Sequence, residues 1–138
     1  DYMEDVKEEK KYIVMELATG GDLFELVRSK GVLSNDEAAM AFSQLHGAVK
    51  YLHSVKVIHR DLKPENVLLC KDPVSKQTIL KVADFGLARF IGEALMMKTL
   101  CGTAEYIAPE IIATANFCTM GYTGACDCWS LGVILYFL

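Results

Sequence analysis

The sequence predicts an α+β fold. Two observations carry that prediction. β-branched and aromatic runs are short and scattered, at residues 11–17, 57–58, 67–69 and 79–82. Between and after them lie segments of helical period, the clearest opening on Ser34-Asn35-Asp36-Glu37 and the last running from Asp127 to Leu138.

The elements follow in order. Residues 11–17 (Lys-Tyr-Ile-Val-Met-Glu-Leu) read as a strand. The charged residues 4–10 before it read as the turn of a hairpin whose first strand lies outside the chain. Gly20-Gly21 breaks the strand, and Asp22 stands at the start of a short helix through Leu23 and Val27. Ser34-x-x-Glu37 is a capping box. The helix after it carries Ala41, Leu45, Ala48, Val49 and Leu52 on one apolar face and ends near His53-Ser54. Val57-Ile58 reads as a short buried strand. Residues 67–69 and 79–82 read as two more, joined by a surface loop at 71–75. From Asp127 the chain is apolar on nearly all sides, which predicts a central buried helix.

Composition narrows the class. With 138 residues the chain suffices for one domain, and 52% of them are apolar. A net charge of −4 argues against a nucleic-acid or membrane-surface protein. The longest apolar run, residues 131–138, is too short to span a bilayer. The five cysteines (Cys70, Cys101, Cys118, Cys126, Cys128) lack C-x-x-C spacing and read as reduced intracellular thiols. His46, His53 and His59 form no ligand cluster with them.

The chemistry lies in three ordered motifs. His59-Arg60-Asp61-Leu62-Lys63-Pro64-Glu65-Asn66 comes first, then Asp84-Phe85-Gly86, then Ala108-Pro109-Glu110. Their order and local contexts resemble the catalytic loop, metal-binding turn and activation-segment end of protein kinases. Lys63 in the first motif and residues 102–106 (Gly-Thr-Ala-Glu-Tyr) before the third resemble the serine/threonine type. Leu100-Cys101-Gly102-Thr103 and residues 127–135 are similar to the calcium/calmodulin-kinase group, most of all to the checkpoint-2 effector kinases. Ala104-Glu105 departs from that subfamily's pattern.

The resemblance implies an ATP- and Mg²⁺-dependent transferase acting on Ser or Thr of protein substrates, with a checkpoint signalling role and a nuclear or cytoplasmic location. Asp61 orients the substrate hydroxyl and accepts its proton. Lys63 neutralises charge on the transferring phosphate, where a lone lysine would read as solvated. Asn66 and Asp84 hold the metal ions, and Thr103 bonds Asp61 and Lys63. Met15 is the gatekeeper. The backbone of Glu16 and Ala18 is the hinge that bonds adenine. Asp22 lies near the ribose, with Leu68 and Leu23 as the apolar floor. His59 and Phe85 stack, and Asp127 bonds the catalytic-loop backbone. Asp22 and Glu65 flank the peptide site and favour substrates with arginine three positions before the target. Thr99 is the expected activating phosphorylation site, made by an upstream kinase or a second copy, with Arg60 as partner to its phosphate; an ordinary loop threonine is the alternative.

No G-x-G-x-x-G occurs in the chain. The expectation is therefore the middle of a kinase domain, with residues 1–21 the last strand of the small lobe and hinge, and residues 22–138 an incomplete helical lobe. By itself such a chain is expected to be inactive and poorly soluble. A non-catalytic pseudokinase or interaction module is the rival reading. A glycine-rich loop and strand lysine upstream of Asp1 would discriminate against it.

Overall fold

The computed structural model describes residues 2–5, 8–90, 103–114 and 123–138. In chain order these form β1 (Tyr2–Asp5), β2 (Lys10–Ile13), α1 (Leu23–Lys30), α2 (Asn35–Ser54), β3 (Val57–Ile58), β4 (Val67–Lys71), β5 (Thr78–Val82), β6 (Arg89–Phe90), α3 (Pro109–Thr114) and α4 (Ala125–Phe137). Single 3₁₀ turns at Pro64–Asn66 and Ala104–Tyr106 complete the list. Strands and helices are both present in the order expected of an α+β chain.

The first hairpin differs from the sequence expectation in two ways. Its first strand is inside the chain: Tyr2 pairs with Ile13 and Asp5 with Lys10, antiparallel. Two acids in the four-residue strand Tyr-Met-Glu-Asp hide its β character from a propensity reading. The second strand stops at Ile13, and residues 14–19 have no regular structure. Strand propensity reflects packing on a pleated surface more than backbone preference. Here Met15 and Leu17 are 79% and 84% exposed.

α1 begins where Asp22 accepts a bond from Glu25 N at 2.8 Å. α2 opens on the full capping box, with Ser34 Oγ accepting from Glu37 N and the Glu37 carboxylate accepting from Ser34 N. Lys30 also donates to Glu37. That bond, with those from Ser34, holds the Glu37 carboxyl down at about 2. A depressed carboxylate contributes stability that is full above its unfolded value and is lost as pH falls through the folded one. This contribution should therefore decline from about pH 4.5 toward pH 2. Ser34→Ala removes the cap and should lower stability by about 1 kcal/mol, read by denaturant melts of the protein carrying this chain.

The main core gathers Leu23 and Val27 of α1, Ala41, Leu45 and Val49 of α2, and Leu131 and Ile134 of α4, together with Leu62 and Val67. Leu23, Leu45, Leu62 and Ile134 are almost wholly buried, each worth about 1.5–3 kcal/mol of transfer free energy. β4 and β5 form the expected antiparallel pair, from Val67–Val82 to Lys71–Thr78, lying on α2 through Gln44, which bonds Leu80 N. β3 pairs with β6, Ile58 against Arg89. α4 starts two residues earlier than Asp127. It buries Cys126, Asp127, Ser130, Leu131 and Ile134 but leaves Trp129, Leu135 and Tyr136 exposed. It is thus buried along one face rather than all round.

Candidate active site

The loop between β3 and β4 is positioned from behind by one side chain of α4. Asp127 is fully buried. Its Oδ2 accepts from His59 N at 3.0 Å and its Oδ1 from Arg60 N at 2.9 Å. His53, at the end of α2, adds a third bond from Nε2 to Oδ2 at 2.8 Å. A buried carboxylate is tolerable because both oxygens are satisfied. The position of Asp127 behind the loop matches the sequence expectation. The bond from His53 does not appear in the sequence reading. The pair is 74 residues apart and no local pattern links them.

That anchor holds an uncommon backbone. Arg60 has φ +75°, in the left-handed region, and its side chain is buried. The turn brings Asp61 to face the segment before α3. Thr103 N and Thr103 Oγ1 both donate to Asp61 Oδ1, each at 3.0 Å. Lys63 Nζ lies 3.2 Å from Asp61 Oδ2 and donates to Thr103 Oγ1 at 2.7 Å. Asn66 Nδ2 donates to Asp61 O at 2.8 Å and to Oδ2 at 3.2 Å. Four separate side chains thus converge: Asp61, Lys63, Asn66 and Thr103.

Asp84 reaches the same region through its neighbour. Ala83 N donates to Asn66 O at 2.8 Å, and His59 Nε2 donates to Ala83 O at 3.0 Å. A carbonyl only accepts, so His59 carries its proton on Nε2. Its Nδ1 then accepts from Asp61 N at 3.3 Å. Asp84 itself has φ +60°, is exposed, and accepts from Gly86 N at 3.2 Å. His59 and Phe85 meet edge to face, centroids 5.0 Å apart and planes at 64°, rather than stacked.

The donor set suits a hard cation. Asn66 spends its amide N–H groups on Asp61, which turns its carbonyl oxygen to other use. Asp84 keeps one carboxylate oxygen outside its bond to Gly86. One neutral and one charged oxygen are donors of the kind Mg²⁺ takes, which uses few protein ligands.

The nucleotide side is more open. Met15 is 79% exposed, and Ala18 half-buried. Glu16 projects its carboxylate to Lys81 Nζ at 2.5 Å. Asp22 and Leu68 are bridged backbone to backbone, which sets the ribose and floor candidates side by side. Leu23, however, is wholly buried in the core, because it heads α1 and points inward. Of the two residues assigned to the floor, only Leu68 keeps accessible surface. Glu65 is exposed beside Tyr106, whose hydroxyl is pushed up by burial and then by Glu65 and Glu105. Cys126 is buried behind the loop, its thiol pushed up to about 12 by burial and by Asp127, so it is no nucleophile. Thr99 lies outside the described residues.

The fold and this constellation define a phosphotransferase-type catalytic loop. The whole chain, residues 1–138, matches the protein kinase domain family, and the chain belongs to that family. Its relatives place it with serine/threonine kinases of the calcium/calmodulin-kinase group. It is 50% identical over 133 residues to a probable serine/threonine-protein kinase, fhkD, of Dictyostelium discoideum, covering 92% of this chain and 18% of that protein. It is 48% identical to myosin light chain kinase A of the same organism, covering 94% and 42% respectively. It is 43% identical to the DNA damage response protein kinase DUN1 of Saccharomyces cerevisiae, covering 92% and 26%. The chain therefore spans less than half the length of these relatives. The protein kinase family generally uses ATP and Mg²⁺.

Proposed function

We propose that the protein carrying this chain transfers the γ-phosphate of ATP to Ser or Thr of protein substrates. The observation that carries the reading is the convergence of Lys63, Asn66 and Thr103 on the Asp61 carboxylate. When bound, ATP with Mg²⁺ supplies the phosphoryl group and neutralises its charge. The chain's own groups do the rest. Asp61 orients the incoming hydroxyl and takes its proton. Lys63, already beside Asp61, faces the charge that develops on the transferring oxygens. Asn66 and Asp84 would hold the metal. Thr103 ties the peptide-side segment to the base, so that the acceptor and the catalytic loop move as one piece. Residues 1–21 would serve as strand and hinge of the small lobe, and residues 22–138 as helical lobe. A role in DNA-damage signalling is the finer proposal, supported by the likeness to DUN1; a nuclear location would go with that role, and a cytoplasmic one otherwise.

Basic substrates follow from the charge around the peptide side. Asp22 spends one carboxylate oxygen capping α1 and keeps the other, while Glu65 and Glu105 both act on Tyr106. A guanidinium placed there would make charge-assisted bonds. Peptides with arginine three positions before the target should be phosphorylated about 10-fold faster, in kcat/KM, than alanine versions. A peptide array indifferent to arginine would overturn the basic preference. No phosphate transfer to any protein or peptide by the full-length protein, under conditions that activate it, would overturn the kinase reading.

A further inference from the structure

Residues 14–19 have no regular structure, yet they carry the groups proposed to bond adenine. Gly20 N donates to Leu69 O and Leu69 N donates to Gly21 O, both at 2.9 Å, which ties the end of the segment to β4. Gly20 allows that approach, since a Cβ there would meet Leu69 O at 2.6 Å. The middle of the segment is tied by a side chain. Lys81 Nζ bonds Glu16 Oε2, bridging 65 positions of sequence.

Lys81 is well placed for more than a surface ion pair. In the β4–β5 register it lies directly across from Leu68, the candidate floor. On its own strand it stands three residues before Asp84. One side chain thus links the hinge segment, the floor and the strand leading into the metal turn. The bond to Glu16 raises the Lys81 ammonium above its ordinary value.

We propose that Lys81 is a positioning residue of the nucleotide site, which through Glu16 fixes the spacing between the hinge segment and the Leu68 floor. The inference rests on the kinase reading and deepens it. Held apart from that strand, residues 14–18 would sample positions too far from, or too near to, the floor for a flat purine. Part of the binding free energy would then go to ordering them.

The test uses the full-length protein. Lys81→Gln is expected to raise the Kd for a fluorescent ADP analogue about 2- to 5-fold, the scale of one exposed ion pair. The KM for ATP should rise by a similar factor, with the loss falling on KM rather than kcat. Amide exchange in the free protein should quicken across residues 14–19, while α2 keeps its protection. Glu16→Gln should do the same, and the double variant should add nothing further, because the two side chains act through each other. Lys81→Arg should recover the affinity. Unchanged ADP affinity and unchanged exchange in Lys81→Gln would overturn the inference. So would additive effects in the double variant. A wild-type protein that binds the ADP analogue but transfers no phosphate would sink the kinase reading, and the Kd comparison would still decide this one.

Discussion

Asp61→Asn in the full-length protein should cut phosphate transfer by about 10²–10⁴-fold, the usual worth of a positioned acid–base group. The amide keeps an oxygen for Thr103 but offers N–H groups where Lys63 and Asn66 now donate, so the cluster loses both its base and its packing of charges. Asp84→Asn should fall as far at ordinary Mg²⁺ and recover in part as Mg²⁺ is raised, because it weakens a ligand rather than removing a base. Transfer rates measured across a Mg²⁺ series separate the two. Equal recovery in both variants would contradict the assigned roles.

Asp127→Ala is expected to be the most destabilising single change in the described residues. It strips the partners from His59 N and Arg60 N, both buried, and from His53 Nε2. Orphaning buried donors costs about 1–3 kcal/mol each, so a loss of about 3 kcal/mol or more is expected, read from denaturant midpoints. Asp127→Asn should be little better. One of its two side-chain positions becomes a donor that faces a backbone N–H. Either variant with wild-type midpoint and wild-type activity would show that the loop is held by something else.

Much of this was legible in the chain, for reasons that differ by residue. Ser34 and Glu37 announce their helix because a capping box is satisfied within four residues. Asp61, Lys63 and Asn66 share one short loop, so their spacing alone brings them together. Thr103 lies 42 positions from Asp61, and only the family resemblance joined them. The bond from His53 to Asp127 and the pairing of β3 with β6 were not legible at all. Both depend on how distant segments pack, and a two-residue strand carries almost no pattern. The end of β2 was misplaced because residues 14–17 are rich in strand-forming types yet lack regular pairing here. Leu23 was misassigned because an apolar residue at a helix start looks the same facing a ligand or a core.

The left-handed backbone at Arg60 sets local strain against the burial of a long side chain. A long side chain with φ +75° costs of order 1 kcal/mol, which a glycine would return. The same change would empty the space of a buried side chain, so a search for heat-resistant variants of this protein should not enrich Arg60→Gly. A glycine at 60 would surrender the buried guanidinium and loosen the loop that Asp127 holds, so its turnover should fall together with its melting temperature. Durability and speed thus both favour keeping one strained torsion angle, one residue away from the candidate base.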